Sequence, residues 1–271
     1  MIGRLMRLTG YELAGVLRRR WVWAVVALGI VVIAIAAVTV SGESPASQSD
    51  DFRATAASLL LVGGLTLALC LGATTIFTGG ITGGLGALVG AGARRSEVTL
   101  ARVGARLATL VMALATWCAA LQVASLALGR GWDGPLAVHV AAAGETHAAV
   151  MLAAAAVSTV LGPAVSAIVG LTVHVTAQAA VNLEAAADLG RLGSSNQLAH
   201  VAYNLLPRSV SSPMIVELQN RGAGGPAAPQ FEINSLPIPL PAAGIGTVLW
   251  TLFWCLIFGM LCVRGMRNRT L

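Results

Sequence analysis

The sequence predicts an all-α integral membrane protein of six transmembrane helices, with an amphipathic helix ahead of them and both ends in the cytoplasm. Hydrophobic residues make up 56% of the 271 positions and charged residues only 10%, against roughly 25% charged in an ordinary soluble domain. Apolar runs long enough to cross a bilayer recur along the chain. The arginines cluster beside those runs, which sets an orientation.

Residues 1–20 read as an interfacial helix: Ile2, Leu5, Met6, Leu13, Val16 and Leu17 recur at helical spacing, and Arg4, Arg7, Glu12 and Arg18 occupy much of the remaining surface. Arg18, Arg19 and Arg20 then meet Trp21 to Val40, an uncharged run that covers the hydrocarbon core as the first span. A cleaved signal peptide would have a shorter apolar region and a shorter basic lead. Ser41 to Arg53 is short, polar and acidic, a predicted loop, and Ala54 to Phe77 is the second span.

Residues 79–106 are glycine-rich and then basic, a predicted cytoplasmic connection with short helices. Leu107 to Leu128 is the third span, and Gly129 to Glu145, with Trp132, Asp133 and Pro135, is a predicted interfacial loop. Thr146 to Asn182 carries no formal charge and is tight for two spans, with Gly162-Pro163 as the break. Two crossings here give an even total and bring the basic tail back inside. Spans one to five thus occupy 21–182.

Residues 183–241 hold seven of the ten prolines and are predicted to be an external segment, with short helices before the proline-rich part. The sixth span and a basic cytoplasmic tail occupy 242–271. On this topology the inner segments hold 12 arginines and two acids, and the outer segments hold five arginines and nine acids. That bias predicts N-in, C-in.

Every basic residue is arginine; the chain has no lysine. A P-loop needs lysine to hold the terminal phosphates of a nucleotide, so the glycine series from Gly79 to Gly92 is not a phosphate cradle and the chain carries no standard ATP-hydrolysing site. Cys70, Cys118, Cys255 and Cys262 all fall in apolar runs without a C-x-x-C pair and read as small core hydrophobes. His139, His147, His174 and His200 are widely spaced, which predicts no metal site, and Glu184, Asp188, Glu217 and Glu232 read as solvated surface. The arginines are not interleaved with exposed aromatics, so nucleic acid is not expected as a partner.

The order of parts resembles the permease subunit of second-class ABC-type exporters. The resemblance covers nearly the whole chain and is most specific at Tyr11-Glu12-Leu13 followed by Leu17-Arg18-Arg19-Arg20-Trp21, which looks like that family's elbow helix entering span one, and at Gly90-Ala91-Gly92-Ala93-Arg94-Arg95. Many relatives carry an acidic residue before Gly-Thr and then a Pro-x-Ser-Arg turn, where this chain has Gly83-Gly84-Leu85-Gly86 and Ala93-Arg94-Arg95-Ser96. The resemblance implies a multi-pass protein of a bacterial plasma (inner) membrane. It also implies a second permease chain, identical or related, and a nucleotide-binding ATPase subunit that holds ATP and Mg, with no cofactor on this chain.

Under that resemblance Arg94, Arg95 and Glu97 are the expected ATPase-coupling residues; the plainer reading is a basic flank that sets topology. His174, Gln178 and Asn182 follow at i, i+4 and i+8 on one helix face. They either line a translocation path or bond between helices. Gln122, with Trp117 near it, is a further path candidate against a packing role. A secondary transporter or channel, or a non-transporting membrane anchor or assembly subunit, are the alternative functions. A secondary transporter usually places ionisable groups in the membrane, and only His174 is expected there.

Overall fold

A computed structural model describes residues 2–42, 45–75, 94–188, 190, 192–210 and 244–267. Among the described residues the chain is helical without strands, and six helices are long and apolar enough to cross a membrane. It is a multi-pass membrane protein. The glycine-rich part of the predicted connection, the proline-rich part of the predicted external segment and the end of the tail lie outside the described residues.

Helix α1, Ile2–Leu17, meets α2, Arg20–Val40, at a tight corner where the Trp23 indole Nε1 donates to the Leu17 carbonyl at 2.6 Å. One of the helix-end carbonyls that α1 leaves unpaired is thereby satisfied. The buried residues of α2, Val22, Val26, Gly29, Ile33, Ala36 and Val40, repeat every three or four positions, so a single stripe faces protein and the rest faces outward.

The second span begins in α3, Pro45–Leu59, passes through a wide π-helical turn at Leu60–Gly64 and ends in α4, Leu65–Ala73. The loop expected through Arg53 is therefore largely helix. The π turn brings two glycines to face large partners. Gly63 lies against the Trp117 indole, and a Cβ on Gly64 would stand 2.6 Å from the His147 ring. Widened turns of this kind are usual at helix positions with a special packing demand.

Helix α5, Arg95–Ala127, is a single helix of 33 residues, ~50 Å at 1.5 Å per residue and hence longer than the hydrocarbon core. Residues 95–106, expected within a connection, are continuous with the third span. Trp117 of α5 is fully buried and donates from Nε1 to the Val26 carbonyl at 3.0 Å, against Gly29 of α2.

Helix α6, Gly134–Ser158, begins twelve residues earlier than the sequence predicts. The Asp133 carboxylate accepts the Leu136 amide at 3.1 Å, and Pro135 sits in the first turn, where its missing N–H costs nothing. Residues that read as loop punctuation are a helix start. Glu145 thus lies near the middle of a candidate span rather than in an outer loop, which removes it from the outer acids. Gly162-Pro163 is the break as expected, and α7, Pro163–Asp188, runs past the boundary at 182.

A short 3-10 turn, Gly193–Ser195, leads to α8, Asn196–Leu205, which folds back on α7, and α9, Ile245–Arg267, closes the bundle against α5 and α6. Small residues let α4, α6 and α7 approach closely: a Cβ on Gly72 would collide with the Met151 carbonyl, and one on Gly170 with Leu69. All four cysteines are free thiols; Cys262 is buried as expected, but Cys70 is exposed on the outer face of the bundle.

Candidate functional site

At the α1 end of the bundle, α1 packs along the start of α5. The Arg102 Nε donates to the Glu12 carboxylate at 3.0 Å, with both side chains largely buried. Four residues on, Arg106 donates from Nη1 to the Thr74 hydroxyl at 3.0 Å and from Nη2 to the Thr74 carbonyl at 3.3 Å. One face of α5 therefore grips α1 and the end of α4 through successive guanidinium groups.

Arg94, Arg95 and Glu97 come together in the first turn of α5. The Glu97 carboxylate accepts the Arg94 backbone N–H at 3.0 Å and lies 3.8 Å from the Arg4 Nε. An acid in this position satisfies an unpaired amide and complements the helix dipole. Glu97 is thus committed within the chain, Arg95 is half-buried, and Arg94 is exposed.

At the opposite end, Arg53 of α3 holds Asp133 through two hydrogen bonds, Nε at 2.8 Å and Nη2 at 3.0 Å. Burial pushes the Asp133 carboxyl up, but the Arg53 hydrogen bond, the Leu136 amide and the charges of Arg53 and Arg130 outweigh it and hold the carboxyl below its usual range. Gln122 closes the same corner: its Nε2 donates to the Asp133 carbonyl at 2.9 Å, and its Oε1 accepts the Asp133 amide at 3.0 Å. Both functions of the Gln122 amide are occupied by one loop residue.

His174, Gln178 and Asn182 share a face of α7 turned into protein. His174 and Asn182 are buried and Gln178 is half-buried. The Gln178 amide donates to the Ser209 hydroxyl at 2.8 Å, and the Ser209 amide donates to the Ala177 carbonyl at 3.3 Å. Residues 206–210 form a strap over this end: the Val210 amide donates to Thr146 of α6, Trp250 of α9 donates to the Leu206 carbonyl, and the Thr251 hydroxyl donates to the Arg208 carbonyl. The Arg208 guanidinium stacks 3.8 Å from the Tyr203 ring centroid.

Below the strap, His174 stacks on His147 of α6, with ring centroids 6.3 Å apart and planes at 28°. Among the described residues the Nδ1 atoms of both are buried without a hydrogen-bond partner, and so is Oε1 of Glu145. Sequence reading missed Glu145 as an intramembrane group because it drew the boundary between the loop and the fourth span at 145/146; His147 fell in the first turn of that predicted span and was counted only among the widely spaced histidines. Asp133 followed by Pro135 was the signal for an earlier start.

A cavity of about 1130 Å³ lies between α5, α6 and α9. Its walls are apolar, with Val103 and Leu107 of α5, Leu152 of α6, and Leu256 and Met260 of α9, and Arg264 is the one charged residue among the described residues of the lining. The sequence-derived path candidates do not line it.

Glu184 and Asp188, one turn apart on α7, meet His200 of α8. One ligand atom from each lies within 4.8 Å of the others, and the His200 Nδ1 is 2.8 Å from Glu184 Oε2. These are residues that sequence reading treated as separate surface groups.

No protein-family model matches the chain, and no curated protein matches it.

Proposed function

We propose that this chain is the membrane-spanning permease subunit of an ATP-driven exporter, oriented N-in and C-in in a bacterial plasma membrane. On this reading α1 is an elbow helix on the inner surface. A separate nucleotide-binding subunit hydrolyses ATP with Mg, and two permease chains flank the translocation route. ATP binding on the partner shifts the population between inward-open and outward-open states.

The observation that carries this reading is the grip of α5 on α1. The unbroken helix from Arg95 to Ala127 follows the glycine-rich stretch in sequence and is pinned to α1 by Glu12 and Arg102. A push delivered at Arg94 and Arg95 would travel along a stiff rod into the spans. The arginine bias supports the orientation, and the apolar cavity with a single cation supports an apolar or amphiphilic cargo.

The double variant Arg94→Glu/Arg95→Glu tests it in native membranes. Loss of the ATPase partner, or ATP turnover freed from transport, is the expected result. Wild-type assembly and coupling would remove the coupling role.

A second reading, an ion-coupled secondary transporter, is favoured by Glu145 near the middle of α6 and the buried His147–His174 pair, since ionisable groups in a membrane interior commonly serve ion or proton relays. Uptake driven by an imposed pH gradient in vesicles lacking any ATPase, and its loss in Glu145→Gln, would favour this reading over the first.

A further inference from the structure

We propose that Glu184, Asp188 and His200 form a binding site for a divalent transition cation of the zinc class. Glu184 and Asp188 stand at i and i+4 and so share one face of α7. The third donor comes from a different helix. Gly190 and Gly193 take positive φ values of 67° and 55°, which reverse the chain so that α8 returns along α7 with His200 over the two acids.

The donor set selects the ion. Two carboxylates and an imidazole suit zinc and similar transition cations, whereas calcium and magnesium prefer an all-oxygen shell. Ligand atoms on zinc stand about 3 to 3.5 Å apart, given metal–ligand bonds of ~2.0 to 2.2 Å. The trio already lies within 4.8 Å, and Asp188, an exposed side chain, can turn to close the remainder. The His200 Nδ1 and the Glu184 Oε2 already stand at hydrogen-bond distance, 2.8 Å apart, and a cation would sit between them and Asp188. Three protein ligands leave a fourth position to water.

A cation here would fasten α8 to α7, beside a small apolar contact of Val181, Ala185 and Ala186 with Tyr203 of α8 and with Leu192 of the preceding connection. The strap at 206–210 continues from α8 onto α6, α7 and α9, so the site anchors the whole cap at this end of the bundle. The inference is independent of the exporter reading.

The test uses the full chain in lipid nanodiscs, tag removed and chelator-treated, titrated with Zn²⁺ against a competing fluorescent chelator, with Mg²⁺ as comparison. One Zn²⁺ per chain is expected, with a rise in thermal midpoint that Mg²⁺ does not produce. Asp188→Asn and His200→Ala should each weaken binding roughly tenfold or more, and Asp51→Asn, outside the site, should not. Asp188 is exposed, so its variant reports on the site even if His200→Ala folds poorly. Absence of Zn²⁺ binding to the wild type, or undiminished binding in Asp188→Asn, would overturn the proposal.

Discussion

Glu12 of α1 and Arg102 of α5 form an ion pair at 3.0 Å between two side chains that are both largely buried. Removing one partner leaves the other charge buried and unpaired. Glu12→Ala is therefore expected to cost about 3 kcal/mol, at the low end for breaking a buried pair. The loss should appear as a lower thermal midpoint in nanodiscs, with Glu12→Gln, which keeps a neutral acceptor for the Arg102 Nε, losing less. An unchanged midpoint for Glu12→Ala would show that α1 does not depend on this contact.

Trp117 sets a second expectation. A side chain at Gly29 would meet the indole that donates to Val26. Gly29→Ala should cost about 1 to 3 kcal/mol through overpacking, and it should alter the near-ultraviolet signature of a buried tryptophan. Gly15, with open space around it, serves as the comparison, and Gly15→Ala should be neutral or mildly stabilising.

The Asp133 carboxyl predicts a pH dependence. Its folded-state pKa is depressed, so the group contributes stability that is present in full above the ordinary aspartate value of about 4 and is lost as pH falls through the lower folded value. Thermal midpoints taken from neutral to acid pH should fall less steeply in Asp133→Asn than in the wild type. The same variant should be less stable at neutral pH, because Arg53 is left with an uncharged partner. A parallel pair of curves would contradict this role for the ion pair.

Gln178 and Ser209 predict a functional separation. Their 2.8 Å hydrogen bond fastens the strap at 206–210 to α7. Gln178→Ala and Ser209→Ala should each loosen the strap, seen as faster amide exchange at residues 206–210, and the double variant should be little worse than either single one. Substrate selectivity is expected to stay unchanged in Gln178→Ala. A shift in selectivity without faster exchange would return Gln178 to the translocation path.

Where an element is dictated by apolar run length or a Gly-Pro break, the sequence was sufficient: α2 falls within one residue of its expected bounds, α9 covers the described part of the expected sixth span, and Gly162-Pro163 separates α6 from α7 as read. Boundaries failed where one residue type serves two local structures. Asp133 and Pro135 are equally good in a turn and in the first turn of a helix, and only the hydrogen bond from Leu136 to Asp133 decides between them. The π turn at Leu60–Gly64 follows from what Trp117 and His147 need in a distant helix, so no local pattern announces it. The candidate site shows the same divide. The shared face of His174, Gln178 and Asn182 follows from spacing alone. Pairs such as Glu12 with Arg102, and the meeting of His200 with Glu184 and Asp188, depend on how helices dock.

The most direct test of the exporter reading is to purify the tagged chain from its native membrane in mild detergent, identify what accompanies it and measure ATP turnover. The account predicts a stoichiometric nucleotide-binding subunit with vanadate-sensitive turnover that responds to apolar or amphiphilic compounds. A chain that purifies alone, without ATPase activity in detergent or nanodiscs, would contradict it.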